Sequence, residues 1–241
     1  MARTRRVAIV PARNEAACVG DVVREIRAFD PGMEVVVVDD GSRDGTAAAA
    51  EAAGARVVRL PFNLGIGGAV QTGFRYALER GFELAVRLDG DGQHDPAQLP
   101  ALVRPVLEGE ADIAIGSRFV GESDYRPPLV RWLGIRLFAG LVSLLVRQRV
   151  TDTTSGFQAL NRRAMALFAH DYPHDYPEVE ATVMLFKHRL RLVEVPASMR
   201  ERAAGASSIT FWASGYYMSK VLLALFVGLF RRNVTRLEED S

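Results

Sequence analysis

Residues 84–96 read Leu-Ala-Val-Arg-Leu-Asp-Gly-Asp-Gly-Gln-His-Asp-Pro. The run Leu84–Leu88 has the length and apolar character of a buried strand. Asp89, Asp91 and Asp95 follow it, with Gly90 and Gly92 between them. Asp95-Pro96 then has the form of a helix start, an N-cap followed by proline at the first helical position, and Ala97–Leu107 continues with helical spacing. Strand, acidic turn, helix is the unit that recurs on either side. Val7–Val10, Val35–Val38, Arg56–Leu60 and Ile113–Ile115 read as further strands, near-continuously apolar as parallel strands covered on both faces are. Val19–Phe29, Thr46–Ala53 and Ala69–Glu79 read as helices between them. The alternation predicts an α/β protein with a doubly wound, mostly parallel sheet flanked by helices, whose ligands bind at the carboxyl ends of the strands.

Composition narrows the choice. The chain has 241 residues, 49% of them hydrophobic and 24% charged, which is enough apolar material for a full core and excludes disorder as the main state. Its net charge of +1 argues against a nucleic-acid binder held by bulk charge. The charge is unevenly spread. Residues 1–115 carry 13 basic and 17 acidic side chains, residues 116–236 carry 17 and 9, and the last five residues add three acids. Of the basic residues only Lys187 and Lys220 are lysines, which fits a base-composition bias. A single cysteine, Cys18, rules out a disulfide framework and a cysteine zinc site, and no secretory leader is visible, so a cytoplasmic compartment is expected. The four histidines have no metal-ligand spacing, and His170 and His174 are separated by Pro173, which favours a surface loop there.

The strand ends carry the chemistry. Hard divalent cations such as Mg²⁺ or Mn²⁺ take oxygen ligands, commonly one or two carboxylates together with substrate phosphates. Asp89 and Asp91, kept open by Gly90, can present both carboxylates at a strand end, and Gln93 can add a neutral oxygen. An isolated Asp-x-Asp is more often a solvated turn; the strand before it and the capped helix after it favour the metal. Asp39-Asp40-Gly41-Ser42 ends the second strand, where a carboxylate can accept from a ribose hydroxyl or a base N–H. Asp44 or Thr46 is the N-cap of the helix that follows. Asn63-Leu64-Gly65-Ile66-Gly67-Gly68-Ala69 fails the dinucleotide fingerprint, because Val70 stands at the third glycine position. A tight turn at a helix start remains, and Gly67 within it can approach a base or a phosphate.

These motifs together resemble the family 2 glycosyltransferases of GT-A (Rossmann-like) fold: Pro11-Ala-x-Asn14-Glu15, Val38-Asp-Asp-Gly-Ser-x-Asp-Gly-Thr46, Asn63-x-Gly-x-Gly-x-Ala69 and Asp89-Gly-Asp-Gly-Gln-His-Asp-Pro96. Gly116-Ser-Arg118, Asp152-Thr-Thr-Ser-Gly-Phe157 and Arg202-x-x-Gly205-x-Ser207 are similar to marks of the dolichyl- and polyprenyl-phosphate sugar synthases. The resemblance covers roughly residues 5–210. It implies that Pro11, Asn14, Glu15, Asp39 and Asp40 hold the nucleoside of a UDP- or GDP-sugar. It implies further that Asp89, Asp91 and Gln93 bind Mg²⁺ or Mn²⁺ on the diphosphate, and that Arg118 and Arg202 face donor or acceptor phosphates. Thr154 and Ser155 then position an acceptor, where otherwise they would only satisfy a turn. One departure touches the phosphate contacts: the family often has lysine after the Gly-x-Ser, and this chain has Ser208.

An inverting transfer to a polyprenyl phosphate follows from the resemblance. A lipid phosphate is already an anion and needs positive charge more than a general base. If the acceptor were instead a saccharide hydroxyl, as in polysaccharide or cell-wall synthesis, a base would be required, and Glu178 and Glu180 are the candidates. A non-catalytic scaffold that binds nucleotide-sugar or membrane is the third reading, and the intact Asp89/Asp91/Gln93 set argues against it. The expected division is a nucleotide-sugar and metal half over 1–120, an acceptor half of the same domain over 121–210 and an amphipathic tail over 211–241. Phe211–Phe230 is nearly long enough to span a bilayer, but Lys220 at mid-span would cost about 2.5–3.5 kcal/mol. It is therefore expected to lie on the membrane or against a partner, as is Leu129–Val146 with Arg131, Arg136, Arg147 and Arg149 beside it. Related synthases often continue into transmembrane helices, so a separate small membrane subunit is expected to supply the anchor. The expected location is peripheral, on the cytoplasmic face of the membrane.

Overall fold

The computed structural model describes residues 4–121, 136–137, 139–140, 142–144, 148–152, 154–173 and 177–200. The chain runs β1 (Arg6–Ala12), α1 (Val19–Phe29), β2 (Glu34–Asp39), α2 (Thr46–Ala52), β3 (Arg56–Arg59), α3 (Gly65–Glu79), β4 (Leu84–Arg87), a 3₁₀ turn (Pro96–Gln98), α4 (Leu99–Leu107) and β5 (Ile113–Ser117). It continues through β6 (Gln158–Asn161), α5 (Arg162–His170), α6 (Pro177–Lys187) and β7 (Leu192–Pro196). The seven strands form one sheet in the order β3-β2-β1-β4-β6-β5-β7. β6 is antiparallel to both its neighbours, β4 and β5, and the other pairings are parallel. The mostly parallel GT-A sheet expected from the sequence is present, and strands from beyond residue 120 complete it.

Strand alternation builds a core on each face. Val7, Ile9, Val36 and Val38 point to one side, where they meet Val70 and Phe74 of α3 and Leu167 and Phe168 of α5. Ala8, Val10, Val35 and Val37 point to the other, against Val22, Val23 and Ile26 of α1 and Leu102 and Val106 of α4. Phe74, Phe168 and Tyr172 form an aromatic triangle with ring centroids 5.0–5.7 Å apart, which fastens α3 to α5.

Three boundaries differ from expectation. α3 begins at Gly65 rather than Ala69, so the glycine-rich stretch is the first turn of a helix and not the loop before it. The cause is Asp40, whose carboxylate accepts from Leu64 N–H at 2.6 Å and Gly65 N–H at 3.0 Å, supplying partners for donors a helix start leaves open. Asp95 does cap the next element, accepting from Ala97 N–H at 3.0 Å, but the turn it starts is 3₁₀ before it becomes α4. His170 is the last residue of α5 rather than part of a loop; Pro173 lies beyond the helix end.

Residues 136–137, 139–140 and 142–144 are helical, with Ala139 and Val142 buried and Leu137 and Leu144 exposed. The rest of the Leu129–Val146 segment and all of Phe211–Phe230 lie outside the described residues. Among those described, no helix is long and apolar enough to cross a membrane.

α3 crosses β1 at Gly73, where an added Cβ would stand 2.3 Å from Ile9 Cγ2. Alanine normally improves a helix by about 1 kcal/mol over glycine, but forcing a methyl into a filled core costs about 1–3 kcal/mol. Gly73→Ala is expected to lower the urea midpoint at unchanged m-value; an equal or higher midpoint would contradict this packing.

Candidate active site

The carboxyl ends of β1, β2 and β4 each run into one of the motifs, and hydrogen bonds lace the resulting loops together. Asn14 has φ 55°, a left-handed conformation that asparagine tolerates. Its N–H donates to Ser42 Oγ at 3.0 Å and its Oδ1 accepts from Arg43 N–H at 2.9 Å. Glu15 N–H donates to Thr46 Oγ1 at 2.8 Å, and Asp44 accepts from Ala16 N–H at 3.2 Å and Thr46 N–H at 3.0 Å. The N-cap of α2 is Gly45, not Asp44 or Thr46 as expected; Asp44, one residue earlier, binds the N–H of the first helical residue and ties the first loop to the second. Asp39 accepts from Ser42 N–H at 3.0 Å through one oxygen, and its other oxygen has no hydrogen-bond partner among the described residues. Of the two neighbouring aspartates, Asp40 uses both oxygens on the start of α3 and Asp39 uses one on the Ser42 turn.

Glu15 reaches from the first loop to the Asp89–Asp91 turn. A Cβ on Gly90 would stand 2.3 Å from Glu15 Oε2, 3.2 Å from Ala12 Cβ and 3.3 Å from Pro11 O, so a side chain there would displace the Glu15 carboxylate and crowd the end of β1. Gly67 is buried in the first turn of α3, the turn whose start Asp40 holds. Asp91 is buried and accepts from Gln93 N–H at 3.0 Å. The turn is also held from beyond β7. Arg200 N–H donates to Gln93 O at 2.9 Å, and the Arg200 guanidinium reaches Asp95 and Glu25, both at 2.7 Å.

Asp89 has two neighbours the sequence reading did not single out. His94 is buried, its ring stacked on Phe157 with centroids 5.1 Å apart. Its Nδ1 accepts from Asp89 N–H at 2.9 Å, so the ring proton resides on Nε2, 3.8 Å from Asp89 Oδ2. Burial pushes the His94 pKa below its usual value, against a smaller upward pull from Asp89, and keeps the ring neutral near neutral pH. Arg87, only 2% exposed, hydrogen-bonds Tyr172 Oη at 3.2 Å and brings a guanidinium nitrogen 3.6 Å from Asp89 Oδ1.

The antiparallel entry of β6 delivers residues 152–157 to the same place. Ser155 and Phe157 are buried, and a Cβ on Gly156 would stand 3.0 Å from both carboxylate oxygens of Asp89. Asp152 is fully buried and takes two bonds from the Arg118 side chain, from Nε and a terminal nitrogen, both at 2.7 Å, and a third from Arg118 N–H at 3.1 Å. Thr154 Oγ1 accepts from the same guanidinium. Behind them stands Glu194 of β7, which accepts from Thr151 N–H at 2.9 Å, Thr151 Oγ1 at 2.9 Å and Asp152 N–H at 2.7 Å. Glu194 gave no sequence signal because only the β5–β7 register, Ile115 opposite Glu194, brings it to the site.

The oxygen donors suit a hard divalent ion: two carboxylates, Asp89 and Asp91, and the amide of Gln93 lie within one tight turn. The bare face of Gly156 leaves the Asp89 carboxylate uncrowded. Among the described residues no group of three His, Cys, Asp or Glu converges. Glu178 lies in the first turn of α6, with its side chain outside the described residues, as are Thr153, Arg202 and Ser208.

A doubly wound sheet with acidic loops at its carboxyl ends and an arginine-bearing segment opposite them is a GT-A glycosyltransferase architecture. The model of "Glycosyl transferase family 2" matches residues 7–168, and the chain belongs to that family. It is 34% identical over 222 residues to the undecaprenyl-phosphate mannosyltransferase of Micrococcus luteus, covering 86% of this chain and 88% of that one. It is 32% identical to the polyprenol monophosphomannose synthase of Mycolicibacterium smegmatis over 86% and 81% of the two chains. The fold also superposes on glucosyl-3-phosphoglycerate synthase from Mycobacterium tuberculosis, crystallised with Mn²⁺, UDP and glucosyl-3-phosphoglycerate, with TM-score 0.73, 23% identity and 97% and 82% coverage.

Burial by itself would raise the Asp152 pKa, and the hydrogen bonds and charge of Arg118 outweigh it, so the carboxyl sits below its ordinary value. A depressed folded-state pKa stabilises the protein fully above the unfolded value, about 3.9, and the gain is lost as pH falls through the folded one. Asp152→Ala is expected to cost about 3–5 kcal/mol at neutral pH, since it removes the buried carboxylate that takes three hydrogen bonds from Arg118. Chemical denaturation across the acid range should show a shallower loss of stability below about pH 4 in the variant than in the wild type; parallel curves would refute the assignment.

Proposed function

We propose that this glycosyltransferase is an inverting, divalent-metal-dependent enzyme that moves a sugar from a UDP- or GDP-sugar to a polyprenyl phosphate. The observation that carries the reading is the contact of Gly156 with Asp89, which joins the donor-side loop of β4 to the segment leading into β6. The names of the Micrococcus luteus and Mycolicibacterium smegmatis relatives support a polyprenyl phosphate acceptor, and the Mn²⁺ and UDP of the Mycobacterium tuberculosis structure support a metal-bound nucleotide donor.

On this reading Asp39, with Pro11, Asn14 and Glu15 shaping the loop around it, accepts from the nucleoside, and Asp40 and Gly67 set the wall formed by α3. Asp89, Asp91 and Gln93 hold Mg²⁺ or Mn²⁺. That ion, when bound, stabilises the charge that accumulates on the departing diphosphate. Arg118, immobilised by Asp152, offers fixed positive charge to the incoming phosphate without having to be ordered on binding, with Thr154 and Ser155 beside it and Arg202 assigned to the same anion. An oxygen of the lipid phosphate bonds to the anomeric carbon as the bond to the nucleoside diphosphate breaks. The electron pair leaves with the diphosphate, and one in-line displacement inverts the anomeric centre. Since the attacking oxygen is already anionic, no side chain has to remove a proton. The half over 1–120 serves the donor, that over 121–210 the acceptor, and the tail over 211–241 a membrane surface or a small membrane subunit at the cytoplasmic face.

Incubation with polyprenyl phosphate, Mg²⁺ or Mn²⁺ and a panel of UDP- and GDP-sugars is expected to carry sugar into the lipid phase from one donor and to stop on chelation. Asp91→Ala should lower kcat by about 10²–10³. No transfer from any donor, or an Asp91→Ala variant equal to the wild type, would sink the reading. Transfer to a saccharide hydroxyl instead would move the chemistry to Glu178 and Glu180.

A further inference from the structure

Ser117 Oγ and Thr151 Oγ1 stand 2.9 Å apart, and the direction of the bond between them is decided on β7. A carboxylate only accepts, and Glu194 Oε2 lies 2.9 Å from Thr151 Oγ1, so the one hydroxyl hydrogen of Thr151 goes to Glu194. Thr151 Oγ1 is left to accept, and Ser117, fully buried as the last residue of β5, donates to it. Ser117 Oγ accepts in turn from Phe119 N–H at 3.2 Å. A one-way relay therefore runs from Phe119 N–H through the Ser117 and Thr151 hydroxyls to Glu194. It ties down the two residues that flank Arg118.

The same carboxylate also acts on the ion-pair partner of Arg118. Glu194 Oε1 accepts from Asp152 N–H at 2.7 Å, and Thr151 N–H lies 2.9 Å from both carboxylate oxygens. Asp152 gives its own carboxylate to the N–H, Nε and a terminal nitrogen of Arg118. One side chain thus holds Arg118 by two routes: through the backbone that carries it, and through the counter-charge that its guanidinium meets. Neither route passes through the loops that follow β1, β2 and β4.

We propose that Glu194 is a positioning residue for the transfer reaction, which sets the Arg118 guanidinium for the acceptor phosphate by fixing its flanking backbone and Asp152 together. This rests on the assignment of Arg118 to the acceptor phosphate. Thr151→Val cuts the relay alone, since it keeps the side-chain shape and the backbone N–H bonds, and Thr151→Ser keeps the hydroxyl. In Glu194→Gln the amide oxygen has to face the two backbone N–H groups, so the NH₂ faces Thr151 Oγ1 and reverses the relay. Thr151→Val and Glu194→Gln are each expected to raise the KM for polyprenyl phosphate by about five- to tenfold, with the donor KM changed less than about twofold. Thr151→Ser should stay near the wild type, and the double variant should be no worse than the weaker single one, because both act on one relay. A second readout needs no substrate: proton exchange of the Arg118 Nε–H, assigned in NMR spectra with Arg118→Lys, should quicken by a similar factor in Thr151→Val. An unchanged acceptor KM, donor and acceptor KM rising together, or exchange as slow in Thr151→Val as in the wild type overturns the proposal. A wild type that transfers no sugar to polyprenyl phosphate defeats the functional reading instead, and the exchange measurement then decides by itself whether Glu194 positions Arg118.

Discussion

A carboxylate shut away from water must find its counter-charge inside the protein, and Asp152 finds it in Arg118. Much of the second half of the molecule is arranged around that pair. Arg118 follows the last residue of β5, Asp152 opens the segment that enters β6, and Glu194 of β7 holds the backbone of Asp152 in place. One buried ion pair thereby fixes the relative positions of three strand ends. Asp152 could not stay ionised at 0% exposure without the Arg118 guanidinium beside it.

The first half solves the opposite problem, an excess of like charge. Asp39, Asp40, Asp44, Asp89 and Asp91 crowd one end of the sheet, and each is held by a separate set of donors. Asp40 takes the start of α3, Asp44 the start of α2, Asp39 the Ser42 turn and Asp91 the Gln93 turn. Asp89 lies between the guanidinium of Arg87 and the neutral imidazole of His94. Among the described residues, backbone N–H groups thus provide much of the compensation for Asp39, Asp40, Asp44 and Asp91.

Strands β1 to β5 were legible because parallel strands covered on both faces are written as short runs of valine, isoleucine, leucine and alanine. The acidic loops were legible because a strand, a carboxylate turn and a capped helix recur in register with them. β6 and β7 escaped notice for physical reasons. β6 is four residues long and has Gln158 and Asn161 at its ends, and β7 carries Glu194 in its middle, so neither has the apolar run that marks a central strand. Arg87 shows the same limit from the other side: it sits inside a strand read correctly as buried, but its partner Tyr172, 85 positions away, leaves no trace in the local pattern. His94 was read for metal spacing, whereas its role is to accept from a backbone N–H and stack on Phe157. Partners joined only by the fold leave no pattern in the chain.

The place of β6 has a consequence for the order in which the molecule is made. β4 and β5 are not hydrogen-bonded to each other; the slot between them is filled by Gln158–Asn161. A chain emerging from the ribosome can complete β1, β2, β3 and their helices early, but its sheet stays split between β4 and β5 until some forty more residues have been synthesised. Through that interval two strand edges are unpaired beside apolar surface, the condition under which nascent chains associate with one another. The segment over residues 154–157 closes the sheet as it enters β6, so a chain released before β6 would lack that segment and its structural keystone together.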